Sequence, residues 1–200
     1  MAFQDAFAIT RTIFERATTY SIDGARIAIG GSSVGAGLAA AICQAARDGG
    51  GPAICFQLLV VPLVDFTYPR RTPDSMPSEE MLNLFRTSYF RNIEDAKDVR
   101  ASPLLARDLS QLPPALVLTG EHDGLREQGE LYAERLRQSG VHAKVVRCCG
   151  VAHVFLALGD RISVAAQALV RAAQTLRNIF EVLDHDASLR SRTDAPPLNR

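Results

Sequence analysis

Arg26-Ile27-Ala28-Ile29-Gly30 runs without a break into Gly31-Ser32-Ser33-Val34-Gly35, and a helix-like run follows from Leu38 to Arg47. An apolar strand, a tight turn and a helix are thus set in line. G-x-S-x-G in that setting is the pattern of a nucleophile elbow, which pushes a serine hydroxyl out on a strained turn. Such a turn crowds the residues two before and two after the serine, and glycine tolerates the close approach. Ser33 has glycine at both positions, whereas Ser32 has Gly30 before it but Val34 after it. The helix that follows aims its amide end at Ser33, where it favours developing negative charge.

Two other readings fit the same stretch. One is a glycine-rich turn with no chemistry. The other is a nucleotide cradle, because Gly35-Ala36-Gly37-Leu38-Ala39-Ala40 matches G-x-G-x-x-A. A cradle needs its first glycine at the strand end and an acidic residue closing the next strand. Gly35 lies well past Ile29, and no acid stands at the required place.

Two later segments favour chemistry. The strand-like run Ala115-Leu116-Val117-Leu118-Thr119 leads into Gly120-Glu121-His122-Asp123-Gly124-Leu125. A second run, Ala143-Lys144-Val145-Val146-Arg147, leads into Gly150-Val151-Ala152-His153-Val154-Phe155. Each places a candidate residue just beyond the carboxyl end of a strand, where parallel sheets build their sites. His153 would take the Ser33 proton and return it to a leaving alcohol, while Asp123 would hold the imidazole tautomer. Each residue also has a plainer reading. Asp123 could cap the helix starting near Arg126, and His153 could be a hydrogen-bonded loop histidine. His122 competes as base, and Glu121 and Asp65 compete as acid. The order Ser33, Asp123, His153 is nonetheless the one α/β-hydrolases use.

At these residues the chain resembles a known family, the hormone-sensitive-lipase-like branch of α/β-hydrolase esterases, from about Ala2 to about Phe180. Ile22-Asp23-Gly24-Ala25-Arg26-Ile27-Ala28 is similar to the family's G-I-D-P-x-R-I-A lead into the elbow. Gln57-Leu58-Leu59-Val60-Val61-Pro62-Leu63-Val64-Asp65 is similar to its L-Q-x-L-x-Y-P-x-x-D strand. Ser102-Pro103-Leu104-Leu105 and Leu112-Pro113-Pro114-Ala115 match its S-P-L and L-P-P-A segments. Asp123-Gly124-Leu125-Arg126-Glu127-Gln128-Gly129-Glu130 resembles D-P-L-R-D-E-G-E, and Gly150 to Phe155 resembles G-x-x-H-G-F. The resemblance implies the C-terminal portion of an α/β-hydrolase fold, with a mostly parallel sheet flanked by helices. It implies a serine hydrolase that cleaves short-acyl carboxylic esters through an acyl-enzyme, with no metal or organic cofactor. By it, Ser33, Asp123 and His153 are nucleophile, acid and base.

The chain departs from the family pattern at several points. The His-Gly-Gly-Gly motif that gives the family's oxyanion hole its amides does not occur in these 200 residues. The backbone amide of Val34 is then the main oxyanion donor. Loss of one such donor costs about 10²–10³ in rate, or roughly 3–4 kcal/mol. Val154 replaces the glycine after the histidine, Gly124 replaces a proline, and Ser32 stands where an acidic or small residue is usual. The expectation is an N-terminally truncated catalytic domain over residues 1–183, weak or inactive as an isolated chain. The competing class is a non-catalytic pseudo-hydrolase or fragment that binds a small ligand or another chain.

Parallel strands are expected near 27–31, 54–61, 115–119 and 143–148, with helices near 2–18, 36–48, 127–139 and 161–183. The elbow strand would lie at a sheet edge, exposing backbone together with Ile27 and Ile29. That edge invites pairing with a second copy (a homodimer), aggregation, or cover by the N-terminal helix. Residues 66–110 form an insertion, including Tyr68-Pro69-Arg70-Arg71 and Pro73-Asp74-Ser75-Met76-Pro77, followed by an amphipathic stretch. By resemblance it lies over the site, with Leu84, Phe85 and Tyr89 as pocket walls and Val154 beside them. Residues 184–200 read as a solvated, disordered tail.

Charge is balanced, 22 basic residues against 22 acidic, so nothing drives the chain towards nucleic acid or an anionic membrane. No apolar run reaches membrane-spanning length, and Met1-Ala2-Phe3-Gln4-Asp5 lacks the layout of a signal peptide. A cytoplasmic setting is the default. Cys43, Cys55, Cys148 and Cys149 lack spaced metal-ligand pairs, and core thiols are expected.

Overall fold

One parallel sheet in the order β1-β2-β3-β4 is built from Ile27–Ser32, Ile54–Val60, Ala115–Gly120 and Ala143–Cys148. The computed structural model describes residues 2–69 and 75–193, with side chains through 185. Among the described residues five α-helices accompany the sheet: α1 Ala2–Glu15, α2 Val34–Asp48, α3 Glu79–Tyr89, α4 Arg126–Gln138 and α5 Ser163–Thr193. Short 3-10 helices span Ile93–Lys97, Pro103–Leu105 and Phe155–Arg161.

The sheet is buried on both faces, which is why its strands read as continuous apolar runs. In β3 every residue is buried. Ala115 and Val117 face α2 and α4, packing with Ala36, Ala39, Tyr132 and Leu136. Leu116 and Leu118 face the other way, onto Ala165, Ala168 and Ala172 of α5. Burial of each such leucine contributes about 1.5–3 kcal/mol. The alanine rows of α2 and α5 combine strong helix propensity with a small cross-section, so both helices lie close to the strands.

Register sets up the site. Ser32 pairs with Val60 of β2, Val60 with Leu118 of β3, and Gly120 with Cys148 of β4. The loops that follow β1, β3 and β4 therefore emerge at one edge of the sheet, carrying Ser33, Asp123 and His153.

Three expectations need correction. The elbow strand does lie at the sheet edge, yet Ile27 and Ile29 are only half-buried rather than open to water. Ile29 packs onto the core shared by α2 and α4, because the helical layers extend over the edge strand. Helix α1 stops at Glu15 and lies against α2, with no buried residue and with Ile9, Ile13 and Phe14 exposed. Helix α5 continues to Thr193, beyond Asp184 where a disordered tail was expected. Asp184 forms an ion pair with Arg26 at the start of β1, which ties that turn of the helix to the body. Residues 194–200 lie outside the described residues, as do Arg70, Arg71, Pro73 and Asp74 of the insertion.

Cys43 and Cys148 are buried, Cys55 is half-buried and Cys149 is exposed, all as free thiols. Burial pushes the Cys43, Cys55 and Cys148 thiols above their ordinary range, in keeping with inert core positions. Among the described residues no helix is long and apolar enough to cross a membrane.

Candidate active site

The backbone of Ser33 is strained, with φ 56° and ψ −121°, a region that residues with a Cβ rarely enter. It is held there on both sides. The Ser33 N–H donates to the Val60 carbonyl at 2.9 Å. The Ser33 carbonyl accepts from the amides of Leu63 at 3.0 Å, Ala36 at 3.1 Å and Gly37 at 3.2 Å. A Cβ on Gly31 would lie 2.3 Å from the Gly35 carbonyl oxygen, so the turn requires glycine there. A Cβ on Gly35 meets nothing within 4 Å among the described residues, so the expected crowding falls on one flank alone. Gly37 is the more constrained neighbour, since its Cβ would fall 1.9 Å from the Leu63 carbonyl oxygen. Helix–loop packing thus accounts for the second glycine of the nucleotide-like pattern.

The acid and base loops are joined by their backbones. Glu121 N–H donates to Cys148 O at 2.9 Å, and His122 N–H to Val151 O at 2.9 Å. The Glu121 carboxylate accepts from the Gly150 amide at 2.7 Å. These bonds place Asp123, whose side chain is fully buried, beneath His153. Asp123 Oδ1 accepts the Leu125 amide at 2.8 Å. Helix α4 starts at Arg126 with no side-chain cap from Leu125, and the Asp123 carboxylate holds both the histidine and the turn that leads into the helix.

His153 Nδ1 lies 3.1 and 3.0 Å from the two Asp123 carboxylate oxygens, and Nε2 lies 2.9 Å from Ser33 Oγ. An ionised carboxylate only accepts hydrogen bonds, so Nδ1 carries the proton and donates it. Nε2 is then left as an acceptor facing the serine hydroxyl. This arrangement can deprotonate Ser33 during nucleophilic attack and support the imidazolium that forms. At the N-terminus of α2, the Val34 amide makes no backbone hydrogen bond among the described residues. It is free to donate to an oxyanion formed at Ser33.

The competing candidates lie elsewhere. His122 is exposed, with Nε2 4.0 Å from the Glu121 carboxylate. Asp65 is buried but binds the backbone amide and hydroxyl of Thr67, each at 2.7 Å. Helix α3 is packed next to the elbow, because Leu82 shares a cluster with Val34, Leu63 and Leu125. The insertion also reaches the acid loop directly: Gly124 N–H donates to Met76 O at 2.8 Å, a bond a proline there would forbid. Leu84 and Val154 are well exposed, and Phe85 and Tyr89 less so. The Tyr89 ring stacks on Phe66 at 5.8 Å. A cavity of about 830 Å³ lies between Phe66–Pro69, α3 and Ile93–Lys97, away from Ser33 and His153. Among the described residues no three His, Cys, Asp or Glu side chains converge as metal ligands.

Sequence reasoning missed two polar supports of this site. Glu121 was weighed as an acid and instead holds the base loop. Gln128 was not weighed at all; it is buried on α4, with Oε1 on the Val64 and Asp65 amides. Its place in the motif after Asp123 was the only available signal.

A family model for the alpha/beta hydrolase fold matches residues 1–157. The chain belongs to the α/β-hydrolase family, in its hormone-sensitive-lipase-like branch. Among curated relatives, this α/β-hydrolase chain is 37% identical over 168 residues to the carboxylic ester hydrolase LipN of Mycobacterium tuberculosis, spanning 78% of the chain and 45% of LipN. It is 33% identical over 184 residues to an ethyl acetate hydrolase of Pseudomonas putida, spanning 88% of the chain and 57% of that enzyme. Among solved structures, EstE1, a thermostable carboxylesterase cloned from a metagenomic library, superposes with a TM-score of 0.85 at 35% identity. That superposition covers 89% of this chain and 63% of EstE1. The chain thus spans about half the length of the curated relatives it matches.

Proposed function

We propose that the chain carries the nucleophile, acid and base of a serine carboxylesterase acting on small, short-acyl esters. The observation that supports this most strongly is the unbroken contact from Ser33 Oγ through His153 to Asp123. In the proposed cycle Ser33 Oγ attacks the ester carbonyl while His153 Nε2 takes its proton. The tetrahedral oxyanion is met by the Val34 amide and the N-terminal end of α2. Collapse breaks the ester C–O bond, and the His153 imidazolium protonates the departing alcohol. Water then repeats the sequence on the acyl-enzyme, with His153 as base, and releases the carboxylic acid and Ser33.

Among the described residues the Val34 amide is the proposed oxyanion donor, so the proposed rate is low for the chain alone. Leu84, Phe85 and Tyr89 of the insertion, with Val154, are proposed to flank the acyl or alcohol group. The packing of α3 beside Val34 and Leu125 favours that placement. A cytoplasmic setting, no cofactor, and pairing of two copies along the free edge of β1 complete the proposal. Concentration-dependent sedimentation checks the pairing.

Initial rates on p-nitrophenyl acetate and longer-acyl analogues test the function. The expected result is slow turnover that falls with acyl length and disappears in Ser33→Ala. Equal rates for wild type and Ser33→Ala would refute it.

A further inference from the structure

We propose that Gln128 is a positioning residue for Ser33, acting through the loop Val61–Asp65; this rests on the reading of Ser33 as nucleophile. Gln128 is 4% exposed, and its Oε1 accepts both the Val64 and the Asp65 amide at 2.8 Å. Both acceptor sites of that oxygen are therefore used. The next amide in the loop, Leu63 N–H, donates to the Ser33 carbonyl at 3.0 Å. Gln128 thus lies two hydrogen bonds and one short stretch of backbone from the strained residue.

The loop between them has little freedom to absorb a change. Val61 N–H is bonded to Leu118 O at 2.7 Å, and Leu104 N–H to Val64 O at 2.9 Å. Val61 itself has φ 41°, a strained value for a β-branched residue, so the loop holds this shape under constraint. On one side α2 comes so close that a Cβ on Gly37 would lie 1.9 Å from Leu63 O. On the other side a Cβ on Gly129 of α4 would lie 2.9 Å from Pro62 Cγ. A loop wedged between two helices transmits a shift rather than damping it. Gln128 also stands on the helix that leaves the Asp123 loop, so one helix sets both the acid and the support of the nucleophile.

The experiment compares Gln128→Met, which keeps size and loses the acceptor, with Gln128→Glu, which keeps it. Two readouts are taken on folded protein below its melting temperature. One is the rate at which a fluorophosphonate labels Ser33, with kcat and KM on p-nitrophenyl acetate. The other is amide hydrogen exchange at Leu63, Val64 and Asp65. Expected for Gln128→Met is labelling and kcat lowered about ten- to a hundredfold with KM little changed, and faster exchange at all three amides. Gln128→Glu should restore labelling to within about threefold of wild type. Faster exchange confined to Val64 and Asp65, with labelling unchanged, would overturn the proposal and leave Gln128 purely structural. If wild type takes no label, the nucleophile reading itself fails; exchange at Leu63 still decides whether Gln128 controls that bond.

Discussion

The carboxyl edge of the sheet and the insertion at residues 66–110 sit side by side, yet they are held in different ways. At the sheet edge, Ser33, Asp123 and His153 each follow a strand by a few residues. The Asp123 and His153 loops are fastened to one another by backbone hydrogen bonds, and His153 bridges the buried Asp123 carboxylate to Ser33. In the insertion, α3 buries Leu82 alone, and Met81, Leu84, Phe85 and Tyr89 all present surface to solvent. Its Arg86 is held by the Phe66 carbonyl and by Glu79. The contrast is one of constraint: the sheet edge holds Ser33, His153 and Asp123 against one another by hydrogen bonds, while α3 leaves apolar side chains exposed beside them.

If that division holds, substitutions at the sheet edge should cost rate or fold, and those in the insertion should cost neither heavily. Asp123→Asn should fold normally and lower esterase turnover or probe labelling by up to about 10⁴-fold, because the imidazole loses its tautomer control. A normal rate in that variant would break the comparison at its strongest point. Gly31→Ala drives a methyl against the Gly35 carbonyl at 2.3 Å. It should lower stability by about 3 kcal/mol, which calorimetry would show as a fall of roughly 10 °C in Tm.

Smaller effects sharpen the other side. Leu84→Ala, at a position 62% exposed, should change stability by less than about 0.5 kcal/mol. Its effect should fall on KM between short and long acyl chains rather than on kcat. Glu130 is partly buried, which raises its pKa, but hydrogen bonds from Arg147 and Thr119 outweigh that and hold it below 4.5. A carboxylate depressed in the folded state adds stability above its unfolded pKa. That contribution is lost as pH falls from 4.5 through the lower folded-state value. Glu130→Gln should therefore lower Tm slightly across the neutral range and converge with wild type as pH falls, which flattens the acid limb of the Tm–pH profile.

The sheet and the convergence of Ser33, Asp123 and His153 were legible in the sequence for the same reason. Doubly buried parallel strands are uninterrupted apolar runs, and Ser33, Asp123 and His153 stand in the short loops just past them. Pattern alone could not show which neighbours of the elbow are crowded. Gly35 fits the motif but faces open space, whereas Gly37 is required by the Leu63 carbonyl, a contact between residues far apart in the chain. Gln128 was invisible because a glutamine within Arg126–Gln138, a helix rich in charge, reads as surface until the loop it holds is seen. The end of α5 was misread because Asp184 among polar neighbours signals a tail, while its ion pair with Arg26 depends on tertiary placement.

The central claim is that Ser33 is activated by His153 and Asp123 within these 200 residues. Intact-mass labelling with a fluorophosphonate tests it most directly, run on wild type beside Ser33→Ala and His153→Ala. A stoichiometric adduct is expected on wild type, none on Ser33→Ala and very little on His153→Ala. Folded wild type that takes no adduct, or equal labelling of all three proteins, would contradict it.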